Sequence, residues 1–174
     1  MTLEFFSATD TGRARSNNED SVAVHEGARL LTLADGMGGY NAGEVASGIA
    51  VKTVLEFVAE ACAREDRNGV DPETQHMRQS IILRDAVARA NKVIHQTARS
   101  QPQCAGMGTT LAACLFWDNR VSIAHVGDSR ATQVRQDAQA VEHVLEIARA
   151  ERHVGVDVVH AGGGETQADP LRHP

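Results

Sequence analysis

Aromatic residues are scarce in this chain: Phe5, Phe6, Tyr40, Phe57, Phe116 and Trp117 are all it has, 3% of 174 residues. None lies beyond residue 130, so residues 131–174 carry no aromatic anchor for a core. Cysteine is equally thin. Cys62, Cys104 and Cys114 are odd in number and lack CxxC spacing, which argues against a disulfide framework or a zinc knuckle and leaves buried or idle thiols. Basic charge is in deficit, with 17 Lys and Arg against 23 Asp and Glu and a net charge of −6. Such a balance offers no surface for nucleic-acid phosphates or an anionic leaflet, and neither partner is expected. Long apolar runs are missing too, since the longest, Leu111 to Trp117, is far too short to span a bilayer. The opening MTLEFFSATDTGR carries Glu4 and no basic stretch before an apolar core, so no signal peptide is read and the expected location is the cytoplasm.

What remains, 42% hydrophobic and 23% charged residues, is the composition of one soluble globular domain with a single core. Leu3 to Thr9, Ser21 to His25 and Arg29 to Asp35 are short and partly apolar or β-branched, separated by Gly, Asn and Asp clusters, and read as strands. From Gly43 the period becomes helical. Val45, Ile49, Val54, Phe57, Val58 and Ala61 predict one amphipathic helix, and Ile81, Ile82, Val87, Ala90, Val93 and Ile94 a second, joined through the turn-rich Gly69 to Pro72 region. Thr109 to Trp117 and Arg120 to Val126 then predict a hairpin closed by Asp118-Asn119. Strands, two helices and strands again indicate an α+β class rather than a regular parallel sheet. Beyond Arg130, Val141, Val144, Leu145 and Ala148 fit one face of a helix, and Val154 to Val159 form a short apolar run before Gly162-Gly163-Gly164.

Three segments place carboxylates beside glycine where predicted strands begin or end. They are Asp10-Thr-Gly12-Arg-Ala-Arg15-Ser-Asn-Asn18-Glu19-Asp20, then Ala34-Asp35-Gly36-Met37-Gly38-Gly39, then Val126-Gly127-Asp128-Ser129-Arg130. Carboxylates crowded on short loops repel unless a positive group sits between them, and a divalent cation is the usual answer. Hard oxygen donors suit Mg²⁺ or Mn²⁺, and the lack of paired His or Cys argues against structural zinc. Taken singly, each segment has a plainer account: Asp35-Gly36 as a turn, Glu19-Asp20 as a solvated loop, Asp128 bonding turn amides, Arg15 and Glu19 as a surface ion pair. Phosphate binding by the glycine run Gly36 to Gly43 fails, because no Gly-Lys-Ser/Thr follows it and the spacing is not GxGxxG.

The ordered set is specific where its members are not. TDTGRARSNNED, LADGMGGYNAGEVAS, GMGTTL at Gly106 to Leu111 and HVGDSR at His125 to Arg130 resemble, in order and spacing, the motif series of bacterial PPM-type (type 2C) metal-dependent protein serine/threonine phosphatases. The resemblance covers Leu3 to Arg130. It implies a four-layer αββα sandwich and a site for two Mn²⁺ or Mg²⁺ ions, with a third in many bacterial members. Asp35 then matches the carboxylate that bridges the two metals, and Gly36 gives its backbone carbonyl to one of them. Glu19 and Asp20 match the acidic pair beside them, Asp128 the aspartate near the third metal, and Arg15 the arginine that holds the substrate phosphate. Met37 stands where some members have a candidate proton-donating histidine, so no side-chain general acid is assigned. The implied activity is metal-assisted hydrolysis of phosphoserine or phosphothreonine in proteins, opposing a serine/threonine kinase. The alternative is a phosphatase-like module that binds a phosphoprotein without catalysis.

The division expected is therefore 1–130 as the N-terminal part of such a domain and 131–174 as a tail outside the pattern. In the family, GDSR is followed by a strand ending Ser-Asp-Gly and a later Asp-Asn that complete the metal site, and neither is present. Two accounts stay open, a reading-frame change near Ala131 and a naturally shortened binding relative. Under either, an incomplete metal site, doubtful activity and poor solubility are expected.

Overall fold

A computed structural model describes residues 3–13, 17–38, 42–64, 69–135, 143–149 and 155–160. Among these described residues, eight strands and two long helices follow one another as β1 (Asp20–His25), β2 (Leu30–Met37), α1 (Ala42–Cys62), α2 (Arg78–Ser100), β3 (Gly108–Thr109), β4 (Leu111–Trp117), β5 (Arg120–Val126), β6 (Ser129–Arg135), β7 (His143–Arg149) and β8 (Gly155–His160). All pairings are antiparallel, in one sheet of order β1-β2-β4-β5-β8 with β3 also on β2, and a second sheet of β6 and β7. The class is α+β, as the sequence indicates. Both helices pack on the main sheet, and β6 lies against β4 and β5.

Alternation along β2 sets the two faces: Leu30, Thr32 and Ala34 are buried, while Leu31, Leu33 and Asp35 are half-buried. The first set meets the helices. Ser21 of β1, opposite Ala34, bonds across to Ser47 of α1 at 3.0 Å between hydroxyl oxygens. Leu30, Val54, Val58, Leu83 and Leu115 are fully buried in the core between the helices and this face. Each such side chain stabilises the fold by about 1.5–3 kcal/mol. Ser122 is the polar knot of the same layer, accepting Trp117 Nε1–H at 3.0 Å and lying 3.0 Å from Ser80 Oγ on α2.

The helices run where the periodicity puts them, but on faces different in detail. In α1 the buried stripe is Ala42, Gly43, Ala46, Ser47, Ala50, Val51, Val54 and Val58, and Val45 is exposed. Small residues let this helix approach the sheet closely, which a reading weighted to large apolar side chains passes over. In α2 the buried apolar residues are Leu83, Ala86 and Ala90, while the flanking Ile81, Ile82, Val87, Val93 and Ile94 are only half-buried.

Two elements differ from expectation. Residues 3–9 form no strand; the segment is held by its side chains, with Phe5 edge-to-face on Phe116 at 6.0 Å. The helix expected around Val144, Leu145 and Ala148 is instead β7, paired with β6 over seven residues from Ser129 opposite Arg149 to Arg135 opposite His143. Val141 lies outside the described residues. A short run with apolar residues at both spacings is decided by available partners, and β6 offers a full-length edge.

Candidate metal centre

β1 and β2 bring the first acidic segments together. Asp20 stands directly opposite Asp35 in the register, and each is half-buried. Residues opposite on adjacent strands share a face, so both carboxylates rise from the face away from the helices. Thr110 N–H donates to Asp35 O at 2.9 Å, so the Asp35 peptide points towards β4. Gly36 N–H donates to Glu19 O at 3.0 Å, so the next peptide points towards β1. Asp20 and Asp35 are therefore a non-hydrogen-bonded pair, the close kind, with Cα atoms about 4.5 Å apart. Like charges so placed repel.

Local bonds fix the approach to this pair. Asn18 Oδ1 accepts Asp20 N–H at 3.0 Å, Asn18 Nδ2 donates to Thr9 Oγ1 at 2.8 Å, and Thr9 Oγ1 reaches Asp20 Oδ2 at 3.4 Å. Glu19 is held against the start of α1. A Cβ on Gly43 would come within 2.6 Å of Glu19 Oε1, and one on Gly36 would collide with Gly43 O. Only glycine at both positions lets strand end, helix start and Glu19 occupy one small volume.

Asp128 belongs to the turn between β5 and β6 and is half-buried. Thr110 connects this turn to Asp35: its Oγ1 accepts Asp35 N–H at 3.0 Å and lies 2.7 Å from Ser129 Oγ. Gly127 has φ +90° and packs on Thr110, whose Cγ2 would be 2.9 Å from a Cβ there. The motifs GMGTTL and GDSR thus meet behind Asp35. Sequence reasoning marked both motifs and gave Thr110 and Ser129 no role; the paired hydroxyls were the available signal. Arg15 lies outside the described residues. Met37 is 60% exposed at the end of β2.

Carboxylates of Glu19, Asp20 and Asp35 with the Gly36 carbonyl are an all-oxygen donor set, of the kind Mg²⁺ and Mn²⁺ take. The type fits and the number is short, for among the described residues no three His, Cys, Asp or Glu side chains group so as to hold a metal ion. The cysteines are free thiols, with Cys104 and Cys114 buried. Burial alone pushes the Cys114 thiol up to about 12, so it stays protonated and inert. A cavity of about 380 Å³ between the helices and the sheet has a mostly apolar lining, including Ala50, Val87, Ile94 and Leu111, and no carboxylate.

An α+β domain with opposed aspartates at a strand end has the donors of a metal-dependent enzyme. The family model described as protein phosphatase 2C matches residues 10–154, and the chain belongs to that family. The match runs past Arg130, through β6 and β7. The serine/threonine protein phosphatase PstP of Mycobacterium tuberculosis is 39% identical over 158 residues, 86% of this chain and 28% of that protein. The serine/threonine phosphatase stp of Listeria monocytogenes is 34% identical over 169 residues, 95% of this chain and 61% of that protein. The chain thus spans less than two thirds of either relative. Among solved structures, a PstP catalytic domain in complex with two manganese ions superposes with a TM-score of 0.59 at 31% identity, covering 86% of this chain and 72% of that one. The M. tuberculosis PstP crystal structure gives 0.57 at 40% identity, covering 78% and 50%.

Proposed function

We propose that this chain carries the first half of a phosphoprotein phosphatase site, one that hydrolyses phosphoserine or phosphothreonine with Mn²⁺ or Mg²⁺. The observation that carries the reading is the close pairing of Asp20 with Asp35, a cost to the fold that a divalent cation turns into a gain. Asp35, Asp20, Glu19 and the Gly36 carbonyl would hold the ions, with Asp128 approaching from its own turn. Bound cations would supply charge neutralisation for the phosphoryl oxygens and the acidity that makes water nucleophilic at neutral pH. The residues themselves fix where this happens: both ends of the Asp35 peptide are bonded, so its carboxylate starts from a set backbone position. Arg15 is assigned to the substrate phosphate, which its planar fork suits. Met37 cannot move a proton, so no side-chain general acid is assigned to the leaving oxygen.

The substrate is a phosphoprotein made by an opposing serine/threonine kinase, and the compartment is the cytoplasm. No helix among the described residues is long and apolar enough to cross a membrane. Residues 1–130 form the catalytic part in this reading, and 131–174 do not supply the remaining carboxylates. Turnover by this chain should accordingly be low. A second reading, a module that binds phosphoprotein without hydrolysis, is favoured by the shortage of grouped ligands among the described residues.

The deciding experiment follows phosphate release from a phosphothreonine peptide by the purified chain with Mn²⁺, with chelator, and as Asp35→Asn. Release that needs Mn²⁺ and falls at least tenfold in Asp35→Asn supports the enzyme. Release indifferent to chelator overturns it. Mn²⁺-dependent peptide binding without release selects the second reading.

A further inference from the structure

The ladders either side of Thr110 share one register: Leu33 pairs with Ala112 in β4, and Gly36 with Thr109 in β3. By that register Thr110 stands opposite Asp35. A hydrogen-bonded antiparallel pair exchanges two backbone bonds, each N–H giving to the other residue's C=O. One is made, Thr110 N–H to Asp35 O at 2.9 Å. The other is not: Asp35 N–H turns to the Thr110 hydroxyl at 3.0 Å instead of the carbonyl. Thr109 Oγ1 lies 2.9 Å from the displaced Thr110 carbonyl and 3.0 Å from Asp35 O. The same Thr110 hydroxyl sits 2.7 Å from Ser129 Oγ, beside Asp128, and both Thr110 and Ser129 are buried.

We propose that Thr110 is a positioning residue for the candidate metal centre: its hydroxyl stands in for a ladder carbonyl behind Asp35 and, through Ser129, ties Asp35 to the Asp128 turn. The inference rests on the reading that those two aspartates bind divalent cation. A backbone carbonyl would hold Asp35 equally well and would reach nothing beyond it. A hydroxyl both accepts and donates, so one atom joins the two loops. Its methyl group packs on Gly127, which fixes the side-chain rotamer and points the hydroxyl at its partners. Valine keeps the branched shape and removes the junction, and serine keeps the junction and removes the methyl.

The test is Mn²⁺ titration of the whole chain, read by the paramagnetic resonance of free Mn²⁺, together with amide exchange at Asp35 in chelator. Thr110→Val should weaken Mn²⁺ binding about tenfold, the effect of leaving one buried donor unpaired, and speed exchange at the Asp35 amide. Thr110→Ser should bind within about twofold of the parent, because it keeps the hydroxyl that both accepts and donates. Parental affinity in Thr110→Val overturns the inference, and so does a Thr110→Ser as weak as Thr110→Val. Should Thr110→Val fail to fold, Ser129→Ala decides: weakened Mn²⁺ binding supports the junction and unchanged binding overturns it. A parent that binds no Mn²⁺ overturns the functional reading, whereas Asp35 amide exchange in chelator still passes or fails the hydroxyl's role in the ladder by itself.

Discussion

Replacing Asp20 with asparagine should have opposite effects with and without metal. In chelator the parent holds two carboxylates on directly opposed residues, with Cβ atoms about 5 Å apart in a close pair. Two unit charges at about 5 Å repel by about 0.8 kcal/mol in water and about 3 kcal/mol at an effective dielectric of 20. Both residues are half-buried and reach the solvent at the strand ends. The lower figure is therefore nearer, in keeping with the about 0.2–1 kcal/mol found for cross-strand pairs. The substitution sacrifices little else, since Thr9 Oγ1 is 3.4 Å from Oδ2 and the Asn18 bond goes to the backbone. Asp20→Asn should therefore melt about 0.4–4 °C above the parent in chelator, taking about 2–4 °C per kcal/mol for a chain of this size. With Mn²⁺ at a hundred times its Kd the parent gains about 2.7 kcal/mol, and a variant with weakened binding gains less. The order of the two melting temperatures should reverse. Differential scanning calorimetry in chelator and in Mn²⁺ reads both. An Asp20→Asn chain less stable than the parent in chelator, or an order that Mn²⁺ leaves alone, refutes the argument that the pair is kept for a cation.

Leu83→Ala, at a fully buried core position of α2, should cost about 2–5 kcal/mol in urea unfolding, and a loss below 1 kcal/mol would place Leu83 outside the core. Gly127→Ala meets both a positive φ and Thr110 Cγ2 at 2.9 Å, so it should lower stability by about 1–3 kcal/mol and weaken Mn²⁺ binding with it; parental values for both would contradict the packing described. Thiol labelling in native buffer should modify half-buried Cys62 first and leave buried Cys114 until the chain unfolds, and mass spectrometry of the labelled peptides would show the reverse order if the core were open. Bonds from Thr74 N–H and Oγ1–H, with Glu73 N–H, hold the Asp71 carboxyl below the ordinary carboxylate range. A depressed folded value means stabilisation that is present at neutral pH and lost as pH falls below the ordinary value through the folded one. Asp71→Ala should flatten that acid limb of the melting curve.

What could be read from the sequence was whatever local chemistry states by itself. Asp118-Asn119 closes β4 onto β5 as expected, with Asp118 at φ +48°, because a two-residue turn between apolar runs has few other uses. Crowded carboxylates beside glycine mark the segments, the ordered motif series singles out Asp35 and Asp20 within them, and the register places the two opposite each other. Leu83 was passed over because its neighbours Ile81 and Ile82 draw a stripe rotated from the true one, and only packing against the sheet distinguishes them. The strand at 143–149 depends on β6 as a partner, a non-local fact that helical spacing of Val144, Leu145 and Ala148 cannot report. Thr110 was invisible as a junction for the same reason: its partners lie 75 and 19 residues away.

On the reading proposed above, the described residues separate two tasks that a cation site must perform. Backbone placement is complete within it: glycines at 36 and 43 permit the close approach, Thr110 bonds Asp35 at N–H and C=O, and Asn18 holds the Asp20 peptide. Each donor that this placement delivers is a carboxylate or a carbonyl, the kind that a hard divalent cation takes. A site built in this order has its ligands positioned before any ion arrives, so little ordering entropy remains to oppose binding. Its affinity then depends both on how many carboxylates join the pair and on how firmly the pair is held, the second being the part that Thr110 serves. On the reading proposed above, a shortage of further carboxylates would remove attraction while the placement of Asp20 and Asp35 stays as it is. An ion should enter this chain at the expected place, around Asp20 and Asp35, and leave it easily.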